Sequence, residues 1–143
     1  MRQLLYVSNT ISNPAKETLE NILDVSRRNN AACDVTGMLL LMEGAFLQVL
    51  EGPDESVEET YRRICTDARH WDAHTLIDQR APARAFAQWS MGFQRLAVGG
   101  LNPDSAFRIS RNAVAGQMTP DAPVAIATLL DTFLHVNATG QFV

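Results

Sequence analysis

The chain has 143 residues, 46% of them hydrophobic and 20% charged, enough for a single domain with a core of its own. A net charge of −4 and no Lys or Arg run longer than a pair argue against a surface that tracks nucleic-acid phosphates. Two cysteines, Cys33 and Cys65, form neither a CxxC pair nor a disulfide framework, no signal peptide is evident, and no apolar run reaches the roughly 18 residues of a membrane span. A soluble cytoplasmic protein is expected, with neither nucleic acid nor membrane as its partner.

Residues 3–8, QLLYVS, form a β-rich run closed by polar residues, and Asn13-Pro14 reads as an N-cap with proline at the first helical position. In the helix that follows, Leu19, Ile22, Leu23 and Ser26 recur at helical spacing. Asn29 and Asn30 end it on the side of Ile22 and Ser26, where they also suit a C-cap. TGMLLLM (36–42) and AFLQVLE (45–51) flank Glu43-Gly44, a hairpin turn, and as unbroken apolar runs they predict central strands covered on both faces.

Residues 53–69, PDESVEETYRRICTDAR, open with proline and acids and close with arginines, the charge order that a helix dipole favours. Val57, Tyr61, Ile64 and Cys65 supply the inner stripe of this second helix. AHTLIDQ (73–79) and WSMGFQRL (89–96) read as shorter strands. The order βαββαββ predicts an α+β sandwich of ferredoxin-like kind, its five-stranded mixed sheet carrying both helices on one face. Beyond a turn-rich connector, SAFRISRNAV and PVAIATLLDTFLHV read as two further helices. The second carries Val124, Ile126, Leu130, Phe133 and Leu134 and must be buried on two sides. The expected division is a domain over 1–95 and a helical extension over 96–143 that covers the free face of the sheet, meets a second copy in a homo-oligomer, or does both.

One polar residue stands out against this apolar pattern. Gln48 sits in the middle of AFLQVLE, and stranding its amide without partners costs about 1–3 kcal/mol. Strand parity puts Leu4, Tyr6 and Ser8 on one face of the first strand and Phe46, Gln48 and Leu50 on one face of the third. If these strands are neighbours, Tyr6 can satisfy Gln48, either as plain core chemistry or as part of a site. Parity likewise sets Trp89, Met91 and Phe93 on one face of the fifth strand. Cys65, Asp67, His70 and His74 have the residue types of a zinc site, but their spacing crosses from a helix end through a loop into a strand, and surface histidines with no metal are the expectation. The sequence lacks the G-x-S-x-G, phosphate-loop and dinucleotide fingerprints of the common hydrolase and nucleotide-binding sites.

The segments LLYVS, NNAACDVTGMLL, FLQVLEG, YRRICTDARH and WSMGF, in that order, resemble the BLUF family of flavin-binding blue-light sensors over residues 1 to about 95. The resemblance implies a flavin between the two helices, FAD or alternatively FMN or riboflavin, with Ile22 and Ile64 against the ring faces. It implies that Ser26 lines the pocket, that Asn29 and Asn30 bond the polar ring edge, and that Arg63, Asp67, Arg69 and His70 flank the ribityl and phosphate end. Tyr6 and Gln48 become the photoactive pair, with Gln48 bridging the Tyr6 hydroxyl and the flavin's N5 and C4 carbonyl. The resemblance also sets the fifth strand beside Gln48 at the sheet edge, with Trp89 or Met91 next to the amide. Ser8, Trp89 and Met91 become the relay, and the output a separate signalling protein. A small ferredoxin-like enzyme and a flavin-free interaction module are the competing readings.

Overall fold

The computed structural model describes residues 1–10, 15–42, 45–68, 70–95 and 128, leaving out the side chains of Thr10, Met42, His70, Trp71, Gln94 and Arg95. The chain runs β1 (Arg2–Thr10), α1 (Lys16–Ala32), β2 (Thr36–Met42), β3 (Ala45–Gly52), α2 (Asp54–Cys65), β4 (His70–Arg80) and β5 (Gly92–Arg95). These strands make one sheet in the order β4-β1-β3-β2-β5, antiparallel throughout except for the parallel pair β2–β5. This is the ferredoxin-like sandwich with an added edge strand that the element order predicts. Helix α1 starts later than the Asn13-Pro14 pair suggests: Ala15, in extended conformation, is its N-cap and Lys16 its first residue, two positions after the proline. Asn13-Pro14 itself, the Glu43-Gly44 turn, Arg69 and, apart from Thr128, the helical extension over 96–143 lie outside the described residues.

Alternation divides the core into two layers. Leu4 and Tyr6 of β1, Leu39 and Leu41 of β2, and Phe46 and Leu50 of β3 form one buried cluster with Leu19 and Leu23 of α1 and Val57 of α2. Both helices therefore cover the same face. The opposite parity, Leu5, Met38, Leu40, Leu47 and Val49, is just as completely buried, as unbroken apolar runs require. Gly37 is needed where β2 passes β3, because a Cβ there would lie 1.9 Å from the Val49 carbonyl oxygen. Arg2 ties three elements together, with Nε and Nη2 each 2.8 Å from an Asp78 carboxylate oxygen on β4 and Nη1 on Glu58 of α2.

The irregular segment 81–91 is fastened to the end of the sheet by a buried carboxylate. Glu51 Oε1 accepts from Ala85 N at 2.7 Å and Gln3 Nε2 at 2.9 Å, and its Oε2 accepts from Phe86 N at 3.0 Å and Thr36 Oγ1 at 3.2 Å. Arg84 adds bonds to Thr36 Oγ1 at 2.9 Å and to the Asp34 carbonyl at 3.0 Å. A fully buried ionisable residue is tolerated because its carboxylate is met by donors on all sides.

Candidate functional site

Pairing of β1 with β3 in the register Tyr6↔Gln48 brings the two side chains to one face at one level. The Tyr6 hydroxyl donates to Gln48 Oε1, and Gln48 Nε2 donates to Met91 Sδ at 3.4 Å. Both ends of the amide are thus engaged, and all three residues are buried. Burial, reinforced by Tyr61, Cys65 and Asp67, pushes the Tyr6 phenol well above its ordinary pKa, so it holds its proton as a donor. The Tyr61 ring stands tilted by 45° with its centroid 5.1 Å from that of Tyr6, and its hydroxyl lies 3.0 Å from Thr75 Oγ1.

Tyr6 and Gln48 open onto a cleft of about 270 Å³. Ile22, Ser26, Asn29 and Asn30 of α1 line it, together with Arg63 and Ile64 of α2 and Asp67 just beyond. Each of these is a residue assigned to the pocket from the sequence. Ser8 is buried two positions along β1 from Tyr6, outside the lining. Arg69 and the His70 side chain are outside the described residues. Asn30 does not end its helix, which continues to Ala32; its Nδ2 instead donates to the Ser90 carbonyl at 2.7 Å.

Three expectations need correction. The fifth strand starts at Gly92, so residues 89–91 form a bend to which strand parity does not apply: Met91 turns inward to Gln48, whereas Trp89 is 38% exposed. β5 also pairs with β2 and lies one strand away from Gln48. Cys65, placed by spacing on the inner stripe of α2, is exposed: the covered side of the helix runs from Val57 through Thr60 to half-buried Ile64, and Cys65 lies about 100° round from Ile64. His74 is on the surface, where it pairs with Asp72 at 2.9 Å.

The sequence reading missed Thr60, which lines the cleft one helical turn before Ile64, a spacing that could have found it. Its Oγ1 is buried with no hydrogen-bond partner, as is Ser8 Oγ. A buried hydroxyl that faces a cleft without a partner fits a polar ligand there. Apolar walls at Ile22, Val25 and Ile64, amides at Asn29 and Asn30, and a cation at Arg63 fit a flat heteroaromatic ring carrying an anionic tail, the chemistry of a flavin.

A family model described as BLUF, sensors of blue-light using FAD, matches residues 1–92. The chain belongs to the BLUF family. It is 39% identical over 88 residues to the blue light- and temperature-regulated antirepressor BluF of Escherichia coli (strain K12), a match covering 62% of this chain and 22% of that protein. It is 34% identical over 89 residues to the photoactivated adenylate cyclase subunit beta of Euglena longa, covering 62% of this chain and 10% of the other. The chain thus spans a small part of these curated relatives. Among solved structures, BlrB, a BLUF protein in its dark state, superposes with a TM-score of 0.70 at 25% identity, covering 93% of this chain and 94% of that one. As a BLUF protein the chain is of a blue-light-sensing, flavin-using family. No helix among the described residues is long and apolar enough to cross a membrane.

Proposed function

We propose that this BLUF chain is a photoreceptor that binds FAD non-covalently in the cleft between α1 and α2 and reports light by rearranging the hydrogen bonds of Gln48. The observation that carries the reading is the buried chain from Tyr6 through Gln48 to Met91, which borders the cleft and engages the amide at both ends. Ile22 and Ile64 hold the ring faces, Asn29, Asn30 and Thr60 its polar groups, and Arg63 and Asp67 the ribityl and phosphate end, with Arg69 and His70 beside them. Bound flavin supplies absorption of blue light and an electron-accepting excited state.

On illumination Tyr6 would give up an electron to the bound flavin and its hydroxyl proton to the Gln48 amide oxygen that it already meets, and would regain both as Gln48 settles with its hydrogen bonds exchanged. The amide suits this role because one end donates and the other accepts, so turning it over or tautomerising it changes which neighbours it serves. Each exchanged bond is worth about 1 kcal/mol, and a differential of about 1–3 kcal/mol is a usable coupling to another protein. No substrate is turned over. The output is a separate cytoplasmic signalling protein, met through a surface that includes the extension over 96–143, which we also assign to covering the second sheet face and to self-association.

The test is the colour of the purified chain. It is expected to be yellow, with a flavin absorption band that shifts to the red under blue light and returns in the dark. Protein that is colourless and cannot be reconstituted with any flavin overturns the proposal.

A further inference from the structure

Helix α1 buries Leu19, Leu23 and Asn30 along one stripe, and the position between Leu23 and Asn30 on that stripe is held by an arginine, Arg27. An apolar residue is expected there. Arg27 itself is exposed, yet its Nε donates to the Met91 carbonyl at 2.9 Å. One turn on, Asn30 Nδ2 holds the Ser90 carbonyl at 2.7 Å, and from the sheet Gly37 N holds the Trp89 carbonyl at 2.9 Å. Three successive carbonyls, 89 to 91, are therefore each taken by a different donor. The last of them belongs to the residue whose sulfur receives the Gln48 amide.

We infer that Arg27 is a positioning residue for the Gln48 switch: it fixes the main chain of Met91, and with it the sulfur that selects one orientation of the amide. The inference rests on the photoreceptor reading for its consequence in light, while its structural half stands on the hydrogen bonds of Arg27 and Gln48 to Met91. An unbranched methionine has three rotatable bonds and accommodates several positions, so a thioether acceptor discriminates between amide orientations only if its own backbone is held. Glu51 secures the segment at Ala85 and Phe86, five residues or more upstream. Arg27 secures it at the working residue. Coupling is reciprocal, so a change at Gln48 that displaces Met91 strains the Arg27 bond and is felt on the exposed side of α1.

Gln and Leu separate the roles of donor, stem and charge. Gln places its side-chain N–H donor at the same bond count from the backbone as Arg Nε, without charge, whereas Leu retains apolar stem and loses the donor. The full chain as purified, with its methionine methyls carbon-13 labelled and Met91 assigned through Met91→Leu, is compared in the dark with Arg27→Leu, Arg27→Gln and, as a charge control on the same helix, Arg28→Ala. Arg27→Leu is expected to move the Met91 methyl resonance and to change the rate of dark recovery at least threefold. Arg27→Gln is expected to restore both toward the parent values, and Arg28→Ala to alter neither. An unmoved Met91 methyl in Arg27→Leu overturns the inference, as does a moved one with unaltered recovery. If the parent chain shows no light response at all, the photoreceptor reading falls, and the methyl comparison still decides whether Arg27 holds Met91.

Discussion

Gln48 and Met91, both buried, meet through an amide N–H directed at a thioether sulfur 3.4 Å away, a weak acceptor facing a strong donor at the floor of the cleft. The other end of the same amide takes the Tyr6 hydroxyl. The two ends are unequally satisfied: only the Tyr6 bond is a strong one, so reorienting the amide puts a single strong hydrogen bond at stake, worth about 1 kcal/mol net. That is what a switch needs, since a firmly satisfied amide would resist reorientation and an unsatisfied one would destabilise the fold by about 1–3 kcal/mol.

Replacing either member of the pair is expected to silence the light response in a distinguishable way. Gln48→Leu keeps apolar volume and leaves the flavin bound, but it removes the amide, so the red shift falls to zero. Tyr6→Phe keeps the ring and removes the hydroxyl that donates to Gln48, so flavin remains bound and the shift is again lost. Absorption spectra before and after illumination read both. A red shift of parental size in either variant shows that the switch lies elsewhere.

How much of this could be read from sequence depends on regularity. Tyr6 and Gln48 fall on one face because both lie within strands where alternation is strict, and Ile22, Ser26, Asn30 and Ile64 converge because helical spacing is equally strict. The approach of Met91 was not legible. Residues 81–91 have no period, and their course is fixed by the Glu51 carboxylate and by Arg27 and Asn30, contacts that join residues 34 to 64 positions apart. Extending strand parity back from β5 therefore placed Trp89 and Met91 together when the bend sends them apart.

Alkaline stability is expected to report on Tyr6. Burial raises its folded-state pKa above the unfolded value of about 10. The stability this contributes is whole below about pH 10 and is lost as pH rises from there toward the folded-state pKa, because only the unfolded chain then releases the proton. The loss is up to about 1.4 kcal/mol per pH unit for one such group. Tyr61, raised chiefly by its own partial burial, adds to the same slope. Urea unfolding at several values above about pH 10 is expected to give a shallower decline for Tyr6→Phe than for the parent. Identical slopes mean that Tyr6 ionises within the folded chain.

The last prediction concerns the buried carboxylate that anchors the segment carrying Met91. Glu51 accepts from Gln3 Nε2 and Ala85 N at one oxygen and from Thr36 Oγ1 and Phe86 N at the other. In Glu51→Gln one of those oxygens becomes an NH2 group, and whichever way the amide turns, it faces a main-chain N–H that has no acceptor. Volume is conserved, so the loss is one of polar satisfaction alone. An unpaired buried donor costs about 1–3 kcal/mol, and two donors opposed across a short contact put the expected destabilisation in the upper part of that range. Glu51→Ala adds a cavity and leaves several donors unpaired, so it is expected to lose more, about 3 kcal/mol or above. Urea unfolding at neutral pH measures both. Because Ala85 and Phe86 are held while Arg27 and Asn30 act further along, Glu51→Gln is also expected to loosen the whole segment, seen as faster amide hydrogen exchange at Ala85 and Phe86. A Glu51→Gln protein as stable as the parent, with unchanged exchange at those two amides, shows that the 81–91 segment is held by its other contacts and that the carboxylate is dispensable to it.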